Sequence, residues 1–314
     1  MFLMICLKKG LRFIFDKRYR FVILANKGVY DNMQDEALLN RKYEAIFGKR
    51  LNLDNPQTFN EKLQWLKLYD RNPEYTIMVD KYKVRDYIKE KIGEEYLIPL
   101  IGVWDNPDDI DFDALPDKFV LKCNHNSGLG MCICKDKSKL NIENVKSELK
   151  KGLAQDYYLT GREWPYKNVP RKIIAEKYMT DTSDSSDFTD YKFFCFNGYV
   201  DCVMVCLERS SGDTKFYFFD RNWNLERLNT RGKNAPDGFT ISKPSQMDKM
   251  FEIAAKLSKG LPFVRIDLYQ SNDHIYFGEI TFFPDSGFDA NLLPETDKSV
   301  SYTHLRAHET SAHL

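Results

Sequence analysis

The stretch Arg265-Ile-Asp267-Leu-Tyr-Gln-Ser-Asn-Asp-His-Ile-Tyr-Phe-Gly-Glu279-Ile-Thr281 decides the fold. It reads as two β-type runs around a polar turn. Alternate residues of a strand share a face, so Arg265 and Asp267 point one way and Ile266 and Leu268 the other. Glu279 and Thr281 stand against Ile280 and Phe282 in the same manner. With Asn272-Asp273-His274 as the loop, Ser271 pairs with Ile275, and counting outward sets Asp267 opposite Glu279 and Arg265 opposite Thr281. Two carboxylates directly across a ladder repel each other. A divalent cation between them removes that penalty, and all-oxygen ligation suits Mg²⁺, which uses one or two carboxylates together with substrate phosphates. Arg265 beside them is placed to hold a phosphoryl or acyl-phosphate oxygen. The plain alternative is a solvated polar face. Pro284-Asp-Ser-Gly287, just beyond, offers a hydroxyl and a flexible backbone such as a substrate loop needs.

Upstream, Tyr191 to Phe196 and Tyr199 to Leu207 flank an Asn197-Gly198 turn of the type that closes tight hairpins. Further strands are expected at 171–179 and 215–220 and helices at 141–159 and 247–259, with Thr180 to Asp190 as a hinge. Lys118 to Lys122 and Met131 to Lys135 flank Lys122-Cys-Asn-His-Asn126-Ser127-Gly128-Leu-Gly130. A lysine ending one strand, a glycine loop and a returning strand form a cover for nucleotide phosphates, with loop 123–130 as a mobile lid. A long hairpin turn is the competing reading. The order fits neither a Walker A loop nor a dinucleotide fingerprint. In Ala175-Glu176-Lys177-Tyr178-Met179, a strand entering the hinge can offer backbone groups to a purine and the Glu176 carboxylate to ribose hydroxyls.

The first hundred residues read as mainly helical. Thr58-Phe-Asn-Glu61 is a capping box that starts a helix near residue 59, and a second helix of looser period spans 76–92 and ends at Gly93. Residues 1–30 are basic with interleaved apolar side chains, which suits either a helix packed on the domain or a peripheral membrane contact through residues 1–25. No run reaches the roughly 18 to 20 apolar residues that span a bilayer, and the start makes a poor secretory signal, so a cytoplasmic location is expected.

Lys plus Arg (46) balances Asp plus Glu (46), which leaves no global field to gather nucleic acid. With 43% hydrophobic residues in 314, the chain can bury a sizeable core. Its seven cysteines contain no C-x-x-C pair and read as core residues rather than as a zinc or disulfide framework.

Several motifs in one order now carry a resemblance. Thr58-Phe-Asn-Glu-Lys-Leu-Gln-Trp-Leu-Lys, Asp80-Lys-Tyr-Lys-Val-Arg85, Asp190-Tyr-Lys-Phe-Phe-Cys-Phe-Asn-Gly198 and Phe277-Gly-Glu-Ile-Thr-Phe-Phe-Pro284 resemble the TupA-like ATP-grasp family over roughly residues 40–297. The resemblance implies an α+β ATP-grasp fold, in which two antiparallel-sheet subdomains clasp a nucleotide behind a mainly helical N-terminal region. It divides the chain into a basic segment (1–50), a helical region (51–115), a nucleotide-lid subdomain (116–180), a metal and catalytic subdomain (181–300) and a tail (301–314) that looks foreign to the family.

It also implies ATP and Mg²⁺ as cofactors. Asp267 and Glu279 resemble the metal ligands, with Thr281 where many members carry Asn. Lys122 resembles the phosphate lysine, Lys177 and Tyr178 the adenine linker, and Asp190 and Lys192 are ribose and phosphate contacts. The implied activity is a carboxylate–amine ligase acting through an acyl phosphate in surface-polysaccharide or teichuronopeptide synthesis, on small-molecule or glycan-linked substrates. Members are also labelled glycosyltransferases, so a nucleotide-sugar enzyme and a non-catalytic nucleotide-binding assembly factor remain alternatives.

Overall fold

The computed structural model describes residues 10–179, 189–208, 214–271 and 273–298. The expected hinge at 180–190 therefore lies mostly outside the described residues, and the tail at 301–314 wholly so. Helices α1 (Lys17–Asn26), α2 (Asp35–Phe47), α3 (Phe59–Tyr69), α4 (Glu74–Val79) and α5 (Val84–Lys91) precede strand β1 (Leu100–Trp104). Strands β2 (Phe119–Cys123) and β3 (Met131–Cys134), helix α6 (Ile142–Ala154) and strand β4 (Ile173–Lys177) follow. Then come β5 (Asp190–Phe196), β6 (Tyr199–Leu207), β7 (Lys215–Phe219), β8 (Leu225–Glu226), helix α7 (Met247–Leu257), β9 (Val264–Ser271) and β10 (His274–Thr281). The α+β class is as the sequence implies.

Two compact units share the chain. The larger, Asn72–Tyr157 with Pro165–Phe282, holds both sheets. One has four strands in the order β1-β4-β2-β3, the other six in the order β10-β9-β5-β6-β7-β8, and the neighbouring strands described pair antiparallel. The four-stranded sheet packs Phe119, Leu121, Ile173 and Ala175 against Val145 and Leu149 of α6. Strand β1 escapes sequence reading because Gly102 and the partly exposed Leu100-Ile-Gly-Val-Trp104 give no clean alternation.

The helix expected at 76–92 is two helices. Asp80 breaks it by accepting hydrogen bonds from the Tyr82 and Lys83 amides through Oδ1 (2.8 and 3.3 Å), an Asx turn that competes with the helical pattern. That break is the source of the loose period.

The smaller unit combines the chain up to Arg71 with Tyr158–Trp164 and the residues from Phe283 onward. The capping box forms as the sequence indicates. Thr58 accepts from the Glu61 amide and the Glu61 carboxylate returns to the Thr58 amide (3.3 and 3.0 Å). Buried Lys67 of α3 joins the three segments. Its ammonium donates to the carbonyls of Gly161 (2.9 Å) and Ser286 (2.6 Å) and to Gln64 Oε1 (3.0 Å). Gln64 in turn donates to the Ser286 and Gly287 carbonyls, so the Pro284–Gly287 loop is clamped by its backbone rather than flexible.

Burial pushes the Lys67 ammonium down to about 7, against the attraction of Glu163 and with help from Lys42. An unfolded lysine titrates near 10.4, so between about pH 7 and 10 the unfolded chain binds more protons and stability rises with pH. Urea midpoints at pH 7 and pH 9 are expected to show that rise in the wild type, and Lys67→Met should flatten it. Equal slopes in the two proteins would contradict the burial argument.

Candidate nucleotide and metal site

Strands β9 and β10 carry the acid pair as the sequence reading places it: Glu279 lies opposite Asp267 and Thr281 opposite Arg265. The route differs. The hairpin closes one residue tighter, with His274 opposite Ser271, and a bulge at Gly278 restores the register. Without that bulge Glu279 would pair with Ile266 and turn into the core. Gly278 is required there, because a Cβ would meet the Asp267 carbonyl oxygen at 2.9 Å and the Tyr269 ring at 2.6 Å.

Asp267 is 1% exposed, so a solvated polar face does not describe it. Arg265 grips it through Nε (2.7 Å) and Nη2 (2.8 Å), and Nη2 also reaches Glu279 Oε1 (2.9 Å) and Thr281 Oγ1 (3.1 Å). Three oxygens thus converge on one positively charged nitrogen. This donor set, two carboxylates and a hydroxyl, fits a hard divalent cation that completes its shell with phosphate and water. Among the described residues no three acids, histidines or cysteines form a metal cage. Burial, the largest influence on Asp267, raises its carboxyl against Arg265 and Lys192. Burial acts likewise on Glu279, but Arg265, Lys81 and Lys192 outweigh it and hold the carboxyl down to about 2.

Beside Glu279 opens a cleft of about 620 Å³, within the usual size of a small-molecule site. Both sheets contribute to its wall. Of the residues the sequence reading names for the nucleotide, Lys122, Asn126, Ser127, Gly128, Glu176, Lys177 and Tyr178 line it, and Gly130, Asp190 and Lys192 do not. Leu129, Met131 and Ile133 face it with 37, 49 and 53% exposure, an apolar surface suited to a base. Lys122 Nζ pairs with Glu176 Oε2 (2.6 Å), so Glu176, expected at ribose, holds the lysine, while Arg85 Nη1 approaches its other oxygen at 3.4 Å.

The loop over the cleft is mostly anchored. Asn124 bonds Asp80 and the carbonyl of Pro170, His125 the Gln155 carbonyl, and the Asn126 amide Gly152 and Gln155. Only Ser127, Gly128 and Leu129 are exposed, so the lid expected at 123–130 narrows to that tip. Gly130 is a packing residue: its Cα meets Gly152 of α6 so closely that a Cβ would lie 2.9 Å from the Gly152 Cα.

Asp190, expected at the ribose, is placed elsewhere. It is 1% exposed and absent from the cleft wall, lying instead 3.4 Å from the Lys192 ammonium, which also pairs with Asp267.

Sequence reasoning missed Lys81 and Arg85. Lys81 enters the cleft from the break between α4 and α5, donates to the Asn126 carbonyl (2.6 Å) and is pushed down by burial against the attraction of Glu279. The disturbed period around Asp80 was the signal that could have found them.

Two antiparallel sheets bordering a cleft, with paired acids on one and a lysine with its glycine loop on the other, define an ATP-grasp fold. The chain belongs to the TupA-like ATPgrasp family, whose model matches residues 61–302. No curated protein matches it. Among solved structures it is similar to D-alanine–D-alanine ligase from Bacillus anthracis complexed with ATP, at 16% identity and a TM-score of 0.42 over 73% of this chain and 61% of that one. It is also similar to the ATP-grasp ligase PsnB complexed with a phosphomimetic variant of minimal precursor, Mg and ADP, at 10% identity and a TM-score of 0.36 over 71% of this chain and 57% of that one. The chain therefore spans less than two thirds of either protein.

Replacing Gly278 by Ala is expected to destabilise the protein by about 1–3 kcal/mol, the usual range for overpacking, and to abolish any Mg²⁺-dependent rise in melting temperature. Wild-type stability and an intact Mg²⁺ response in Gly278→Ala would show that the bulge does not set the acid pair.

Proposed function

We propose that the protein is an ATP- and Mg²⁺-dependent carboxylate–amine ligase of cell-surface polysaccharide or teichuronopeptide synthesis. It takes a small-molecule or glycan-linked carboxylate and amine and acts in the cytoplasm. One observation carries the reading: Asp267, Glu279 and Thr281 converge on a single cationic atom beside a cleft entered by Lys81 and Lys122.

ATP is the donor in this reading, with its base against Met131 and Ile133 and backbone groups of Lys177–Met179, and its phosphates toward Lys81, Lys122 and the 127–129 tip. A divalent cation on Asp267 and Glu279 supplies neutralisation of phosphate charge. The substrate carboxylate oxygen attacks the γ-phosphorus as the bond to ADP breaks. Arg265, anchored by both acids, stabilises the charge on the acyl phosphate formed. The amine nitrogen then attacks the acyl carbon, phosphate leaves, and the amine gives up a proton. Closure of the loop tip keeps water from the acyl phosphate.

Thermal shift tests this directly. A ligand at a hundred times its Kd stabilises by about 2.7 kcal/mol, so Mg²⁺-ATP is expected to raise the melting temperature by several degrees, and Asp267→Asn to remove the Mg²⁺-dependent part. ADP release that requires both a carboxylate and an amine completes the assignment. Protection by UDP- or GDP-sugars with none by ATP would replace it with the glycosyltransferase reading, and ATP binding without ADP release under any acceptor with the assembly-factor reading.

A peripheral membrane contact is supported by Leu11, Ile14 and Phe15, which share one side of the helical turns at residues 10–15 with 49, 61 and 78% exposure among Arg12, Lys17 and Arg18. Among the described residues no helix is long and apolar enough to cross a membrane. Co-sedimentation with vesicles containing phosphatidylglycerol is expected for the wild type and lost in Ile14→Ser/Phe15→Ser; equal pelleting of both proteins would reject the contact.

A further inference from the structure

The acid pair belongs to a longer row of charge. Across β10, β9 and β5, Glu279 lies opposite Asp267, and Asp267 opposite Lys192. Two residues back along β5, on the same face, Asp190 lies opposite Tyr269. The Lys192 ammonium is ion-paired with Asp267 Oδ2 and stands 3.4 Å from Asp190 Oδ2, and all three side chains are withdrawn from water: both aspartates are 1% exposed and the lysine 12%. Tyr269 also hydrogen-bonds Asp190.

Both oxygens of Asp267 are thus engaged, by Arg265 and by Lys192. Oδ2, the oxygen that shares Arg265 Nη2 with Glu279 and Thr281, already accepts from both Arg265 and Lys192, so a divalent cation at that oxygen displaces one of the two. Detaching Lys192 would leave a desolvated ammonium without a counter-ion, the costliest outcome for a buried pair. Asp190 removes that obstacle, since a second carboxylate already lies within ion-pairing distance of the same ammonium and no new group must be dehydrated.

We propose that Asp190 is a positioning residue that receives the Lys192 ammonium when Asp267 turns to a divalent cation. The inference rests on the assignment of Asp267 and Glu279 as metal ligands. Lys192 competes with the cation for Asp267, and Asp190 decides the competition in the cation's favour.

The test uses Mn²⁺ as the probe, titrated by electron paramagnetic resonance into the full chain at saturating non-hydrolysable ATP analogue. Loss of a group that supports a metal ligand weakens metal binding by about 10- to 100-fold, and Asp190→Asn is expected to fall in that range. Asp190→Asn/Lys192→Met, which removes the competitor as well, should return toward the wild-type affinity, and Lys192→Met alone should bind Mn²⁺ at least as tightly as the wild type. That last variant keeps the proposal testable if Asp190→Asn does not fold. Unchanged affinity in Asp190→Asn, no recovery in the double variant, or weaker binding in Lys192→Met would overturn the proposal. Asp267→Asn separates the levels: Mn²⁺ binding equal to wild type there removes the metal assignment and the proposal with it, whereas loss there with normal binding in Asp190→Asn refutes the handover alone.

Discussion

Like charges set opposite each other on paired strands repel, and a fold that keeps them must offset the repulsion. Asp267 and Glu279 are such a pair. The structure surrounds them with positive charge drawn from several directions: Arg265 from the same strand, Lys192 from the neighbouring strand and Lys81 from the α4–α5 break. The two lysines are held in turn, Lys192 by Asp190 and Lys81 by the Asn126 carbonyl. The acid pair, one member of which lines the cleft, is therefore kept together by charges from the rest of the unit.

This arrangement also divides the cleft by chemistry. Glu279 and Lys81 stand at the β10 end of its wall, while Met131 and Ile133 leave an apolar surface on β3. Between them Lys122 is fixed by Glu176, itself approached by Arg85. A ligand with a charged end and a flat apolar end matches that gradient, and the family to which the chain belongs is named for grasping ATP.

Much of this was legible because it depends on local rules. The capping box at Thr58, the Asn197-Gly198 turn and the alternation of β9 all follow from backbone chemistry that neighbouring residues report. The acid register came out right although the loop was counted one residue too long, because the bulge at Gly278 supplied the missing residue. What stayed hidden depends on groups distant in sequence. Nothing near Asp190 announces that Tyr269 will bond it or that Asp267 will share its lysine, and nothing near Gly130 announces Gly152. Lys81 lies in between: the irregular period around Asp80 was visible, but its purpose required knowing where Asn126 would stand.

The discontinuous smaller unit has a consequence for how the chain is made. Lys67 is synthesised early, yet two of its three acceptors are the carbonyls of Gly161 and Ser286, the second more than two hundred positions downstream. A nascent chain therefore carries this lysine hydrated until residue 286 has left the ribosome. Such long-separation contacts slow folding, so the helix that carries Lys67 completes its burial only with the loop at 284–287 in place.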